Sequence, residues 1–139
     1  MNIKEITEEL IADFDLFDDW ADKYEYLISL GKELPSMDVI DKTEDNTVKG
    51  CQSKVWLKAK NELDVVVFEA DSDAIITKGI IALLVKVFNG QNAEEIVNAD
   101  LSFIDKIGLK EHLSPNRSNG LIAMVQKMKT YALVFSNSK

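Results

Sequence analysis

The run from Ala74 to Phe88 constrains this chain more than any other stretch. Ile75, Ile76, Ile80, Ile81, Leu83, Leu84, Val85, Val87 and Phe88 make it apolar nearly all round. A helix without a polar face belongs at the centre of a fold. Asp71-Ser72-Asp73 supplies carboxylates and a hydroxyl for the orphan amides of a helix start, and Gly90 closes the run. Gly79 inside it costs about 1 kcal/mol of helix propensity relative to Ala, which predicts close packing of this helix against a sheet.

The segment before it changes period. From Ser53, Val55, Leu57 and Ala59 face one way while Lys54, Trp56, Lys58 and Lys60 face the other, the alternation of a half-buried strand. Asn61-Glu62 reads as a tight turn, and Leu63–Ala70 as a second, β-branched strand. Residues 36–47 are polar and acidic, a connecting segment with one short strand at Met37–Asp41. Three helical patterns surround this hairpin. Ile3, Ile6, Leu10 and Ile11 share a face of a first helix starting at Asn2 or Thr7. After a bend at Phe14–Phe17, Trp20, Tyr24, Leu27 and Ile28 mark a second, with Asp18 and Asp19 suiting its N-terminal dipole and Gly31 as its stop. Short helices follow at Asn92–Asn98 and Leu101–Ile107. Ser114-Pro115 then starts the last helix, Ser as N-cap and Pro in the first position, and the tail Ser136–Lys139 reads as frayed. With 139 residues and 46% hydrophobic content, these elements make one domain over 1–139.

One cysteine stands at the mouth of the hairpin, in Val48-Lys49-Gly50-Cys51-Gln52-Ser53-Lys54-Val55-Trp56. Gly50 predicts a sharp turn or a close approach. Lys49 and Lys54 flank the thiol, and nearby positive charge favours the nucleophilic thiolate. Equally, a free cysteine often serves as a small buried hydrophobe. A single cysteine excludes an internal disulfide and any multi-cysteine zinc or iron–sulfur site. With His112 the only histidine, histidine-rich metal sites are excluded too, and a Cys–His acyl-transfer pair would have to be built from Cys51 and His112, with no oxyanion signature beside them. No dinucleotide or phosphate-loop glycine pattern is present.

Charge narrows the partners. The net charge of −8 argues against nucleic acid, whose binding rests on clustered Lys and Arg. The acidity is local: residues 1–47 carry 14 acids against 4 bases, while 48–139 carry 10 against 12. The acidic third reads as a solvated helical face. No apolar run reaches the roughly 20 residues of a membrane span, and Met1–Glu5 is no signal peptide, so the expected setting is the cytoplasm. Arg117, the only arginine, falls in the first turn of the last helix, where a cation opposes the dipole. Its guanidinium either pairs with a structural acid or grips an anion in the bidentate manner that lysine cannot match. Gly120 weakens the same turn.

Three separated motifs carry a family resemblance: Gly50-Cys51-Gln52-Ser53-Lys54-Val55-Trp56, Ser72-Asp73-Ala74-Ile75-Ile76-Thr77-Lys78-Gly79, and His112-Leu113-Ser114-Pro115-Asn116-Arg117-Ser118-Asn119-Gly120-Leu121. With Trp20…Tyr24-Glu25-Tyr26-Leu27-Ile28…Leu30-Gly31-Lys32, they resemble the SufE family of sulfur acceptors over nearly the whole chain. The resemblance implies an α+β fold, a small curved antiparallel β-sheet with helices packed against it, shared with IscU- and NifU-like scaffolds. It implies a cytoplasmic partner and activator of a pyridoxal-phosphate cysteine desulfurase of SufS or CsdA type, not a stand-alone enzyme, and a protein with no cofactor or metal of its own. Cys51 matches the family's persulfide carrier, which passes sulfur to an iron–sulfur cluster scaffold. Gly50 and Gln52 belong to its loop, and Asp73 and Arg117 fall on motif positions that shape the loop or the desulfurase interface. Val55 and Trp56 are candidates to shield the persulfide. The scaffolds hold a cluster with three cysteines, and this chain has one. A CsdE-type carrier for another sulfur pathway and a non-catalytic desulfurase regulator are the alternatives.

Overall fold

The structure, a computed structural model, describes residues 1–137. Its centre is the apolar run: α3 spans Ile75–Phe88 in chain order, and Ile81, Leu83, Leu84, Val87 and Phe88 are fully enclosed. Before it come α1 (Ile3–Asp15), α2 (Trp20–Glu33) and the hairpin strands β1 (Val55–Glu62) and β2 (Val65–Ser72). After it come the short helices α4 (Ala93–Val97), α5 (Ser102–Ile107) and α6 (Leu109–His112), then the long α7 (Pro115–Asn137). The α+β class is as the family resemblance implies. The antiparallel sheet has two strands, extended by single bridges from Thr47 to Trp56 and from Val66 to Gln91. One side of α3 covers β2 and the other meets α2, while α7 crosses α3 and β1 and carries α4.

The α2–α3 contact depends on two missing side chains. A Cβ on Gly79 would stand 2.4 Å from the carbonyl oxygen of Leu27, and one on Gly31 would stand 2.9 Å from the amide nitrogen of Gly79. Gly79 therefore admits the backbone of α2, not the sheet. Gly31 does not stop its helix either: α2 runs on to Glu33, and Leu34 turns extended before Pro35, as a residue preceding proline prefers.

Other local expectations shift for identifiable reasons. The hairpin turns at Leu63-Asp64, with φ of 48° and 69°, two residues beyond Asn61-Glu62. Two left-handed residues in succession match the twist of the flanking strands, and Glu62 pairs with Val65. A shift of two preserves the alternation, so Val55 and Leu57 still face the core. Residues 39–41 form a 3-10 turn instead of a strand, started by the Asp38 carboxylate accepting from the Ile40 amide at 3.2 Å. At the head of α1, Asn2 and not Thr7 is the cap, in a reciprocal box with Glu5. Ser114 caps α7, its Oγ accepting from the Arg117 amide at 3.3 Å. Ser136 and Asn137 are still helical, and Ser138 and Lys139 lie outside the described residues.

The Asp71-Ser72-Asp73 signal divides into three tasks. Strand β2 extends through Ser72, and α3 starts from Ala74 without a side-chain cap. Asp71 is buried at 3 % exposure, accepting from the amides of Met37 at 3.0 Å and Ser72 at 2.8 Å. Lys42 at 3.4 Å and Lys78 at 3.3 Å complete its surroundings. Burial opposes its ionisation, but the two amides and Lys78 outweigh it and hold the carboxyl below its ordinary value.

Candidate functional site: the Cys51 loop and its cavity

Residues 49–53 are suspended between two fixed points. Upstream, the Val48 amide donates to Val55 O at 2.8 Å, and the Lys127 ammonium donates to the carbonyls of Thr47 at 3.0 Å and Asp45 at 3.3 Å. Downstream, Asp73 Oδ1 accepts from the Lys54 amide at 3.0 Å, while Lys54 O accepts from Ser72 Oγ at 2.8 Å and from the Asp73 amide at 3.2 Å. Asp73 thus clamps the end of the loop to the junction of β2 and α3. Between the clamps, Gly50 takes φ +93°, a left-handed value natural to glycine, with Ala123 of α7 close by.

That turn lays Cys51 against α7. Its Sγ lies 3.7 Å from the Gly120 carbonyl oxygen, to which the thiol donates weakly. A Cβ at residue 120 would sit 3.2 Å from the sulfur. The helix-weakening glycine is therefore what allows the thiol to lodge. Beside it opens a cavity of about 300 Å³, walled by the loop, by Thr77 and Ile80 of α3, and by Asn116, Arg117 and Met124 of α7. Asn116 Nδ2 donates to Gln52 Oε1 at 3.1 Å, joining the loop to the first turn of α7. Arg117 lines the cavity with its side chain exposed, and among the described residues no carboxylate forms an ion pair with it.

Of the two sequence expectations for the thiol, burial prevails over flanking charge. Burial pushes the Cys51 thiol above its ordinary pKa, because the half-buried site disfavours the anion. The flanking lysines do not reverse this. Lys49 is spent on Glu44 at 2.6 Å, out in solvent. His112 is not on the cavity wall: its ring stacks on Trp20 with centroids 4.1 Å apart, and its carbonyl accepts from the Tyr24 hydroxyl. The Cys–His pairing is not what the fold assembles. Val55 is in the core and Trp56 carries Lys42 over its ring, so the apolar wall beside the thiol comes from Ile80 and Met124. These two, with Thr77 and Asn116, were not singled out from sequence. A signal was there: Asn116, Gly120 and Met124 recur every four residues on one face of α7, as Thr77 and Ile80 do at a spacing of three on α3. Among the described residues no cluster of His, Cys, Asp and Glu could hold a metal ion, and no helix is long and apolar enough to cross a membrane.

The fold and site define a small α+β domain that presents one half-buried thiol on a clamped loop, over a cavity with a cationic rim. Residues 8–132 match the family described as SufE, Fe-S metabolism associated domain. An uncharacterized SufE-like protein of Rhizobium meliloti (strain 1021) is 42% identical over 130 residues, covering 90% of this chain and 93% of that protein. Another from Rhizobium etli is 42% identical over 132 residues, covering 91% and 89%. The chain belongs to the SufE family, and with it to sulfur transfer in iron–sulfur metabolism. The fold is also that of a hypothetical protein from Thermus thermophilus solved in solution, with a TM-score of 0.77, 19% identity, and coverage of 93% of this chain and 94% of that one.

Proposed function

We propose that Cys51 is a persulfide carrier that accepts sulfur from a pyridoxal-phosphate cysteine desulfurase in the cytoplasm and passes it to an iron–sulfur scaffold. The observation carrying this reading is the single half-buried thiol opening into a cavity large enough for added sulfur. In the transfer, the Cys51 thiolate attacks the outer sulfur of the desulfurase persulfide. A bond forms from Sγ to that sulfur, and the bond to the desulfurase cysteine breaks. The desulfurase sulfur leaves as a thiolate with the electron pair, and no outside oxidant is needed. The partner holds the pyridoxal phosphate. This chain's part is to seat the product among Ile80, Met124 and the Gln52–Asn116 contact, where reductants reach it slowly. Taking sulfur away also activates the desulfurase, because it clears the covalent intermediate.

Intact mass after incubation with a cysteine desulfurase and L-cysteine tests this. A gain of sulfur that dithiothreitol removes and Cys51→Ser abolishes supports the carrier. Undiminished stimulation of the desulfurase by Cys51→Ser overturns it in favour of a regulator that takes no sulfur. Comparing rates with SufS- and CsdA-type desulfurases then identifies the donor.

A further inference from the structure

Of the cavity side chains whose polar groups have no partner among the described residues, Ser53, Arg117 and Thr77, only Thr77 is buried. It is 7 % exposed and sits on the wall shared with Cys51. A helical threonine normally returns its hydroxyl to a carbonyl one turn back. Thr7 does so to Lys4 O at 2.9 Å, and Thr130 to Gln126 O at 2.8 Å. The Thr77 hydroxyl makes no such bond and has no other partner among the described residues. No side-chain oxygen or nitrogen sealed wholly inside those residues lacks a partner, so this hydroxyl opens onto the cavity. Arg117 lines the same cavity, and among the described residues no carboxylate forms an ion pair with its guanidinium.

An unused donor and an unpaired cation around a thiol describe a seat for an anion bonded to that thiol. An outer sulfur would extend Sγ by about 2.05 Å. A hydrodisulfide ionises more readily than a thiol, and against Ile80 and Met124 its anion needs a donor. Resting on the persulfide reading above, we infer that Thr77 is the binding residue for that outer sulfur, donating its hydroxyl proton to the ionised form. Among the described residues Arg117 is the only charged side chain on the wall. Of the nearby charges, Lys49 is paired with Glu44, Asp73 is engaged by the Lys54 amide, and Lys54 is exposed and does not line the cavity. The hydrogen bond stores the persulfide in its anionic form, which nucleophilic reductants attack more slowly than the neutral one.

The test loads Cys51 chemically with inorganic polysulfide, so that no desulfurase is required. The Cys51 thiolate attacks a polysulfide sulfur, one sulfur–sulfur bond forms as another breaks, and the shortened polysulfide leaves with the electron pair. The perthiolate is titrated by its ultraviolet absorbance, and its lifetime against dithiothreitol is followed by intact mass. Thr77→Val keeps the shape and removes the donor. It should lower the ionisation constant about tenfold, as loss of a hydrogen bond to a charged group does, and shorten the lifetime several-fold. Thr77→Ser should restore both. Thr77→Ala, also donor-free, must move the midpoint the same way, which covers failure of the valine variant to fold. Wild-type titration in both donor-free variants, or an equal shift in Thr77→Ser, overturns the inference. Failure of the wild type to take sulfur from any desulfurase overturns the carrier function instead, with the Thr77 titration still decided by chemical loading.

Discussion

The Cys51 sulfur rests on the backbone of Gly120, 3.7 Å from its carbonyl oxygen, and a methyl at 120 would press on it from 3.2 Å. The depth of the thiol therefore depends on a residue sixty-nine positions away that has no side chain. Gly120→Ala should expel the thiol toward solvent and speed its alkylation by iodoacetamide several-fold at neutral pH. Helix propensity would offset part of the steric cost by about 1 kcal/mol, so a thermal melt should move little. An unchanged alkylation rate would show that the loop yields without releasing the sulfur.

Burial alone raises the Cys51 pKa, so the thiolate forms later in the folded protein than in the unfolded chain. Stability from this group is fully present below the unfolded thiol pKa and is lost as pH rises through the raised folded value. Alkylation rate against pH should accordingly show its midpoint above that of the same protein in denaturant. A lower midpoint in the folded state would mean that the lysines, not burial, govern the thiol.

Asp73→Ala removes the acceptor for the Lys54 amide and frees the downstream end of the loop. The bond is exposed, so the expected loss of stability is small, about 1 kcal/mol. Hydrogen exchange at Lys54 and alkylation at Cys51 should both accelerate. Protection at Lys54 equal to wild type would remove Asp73 from any loop-setting role.

Gly79→Ala carries opposite signs in the isolated helix and in the fold. Propensity favours alanine, but its Cβ would sit 2.4 Å from the Leu27 carbonyl oxygen, and overpacking of that kind costs about 3 kcal/mol. Denaturant unfolding should show a clear loss. A gain would mean that α2 and α3 separate without penalty.

Asp71→Asn tests the buried carboxylate that ties Met37 to the sheet. Its depressed pKa contributes stability above the unfolded carboxyl pKa that is lost as pH falls through the folded value. The variant should lose about 2 kcal/mol at neutral pH, discounted because Lys42 and Lys78 are partly exposed, and should unfold over a narrower acid range. Identical acid transitions would place the acid-sensitive group elsewhere.

Local pattern determined the central helix, the two-strand alternation, the Ser114-Pro115 start and the exceptional position of Cys51, because each depends on residues within one or two turns of each other. The GCQS loop and its companion motifs carried the family. Tertiary structure decided what those features do to one another. Gly31 and Gly79 read singly as a stop and a weak point, and only their meeting across α2 and α3 makes both a close approach. Lys49 and Lys54 argued for an acidic thiol and the lone cysteine for a buried one; desolvation depends on what covers the sulfur, and that cover comes from α7 and α3. Charges flanking a residue in sequence are visible in its neighbours. Burial, which outweighs them here, is a property of the packed chain.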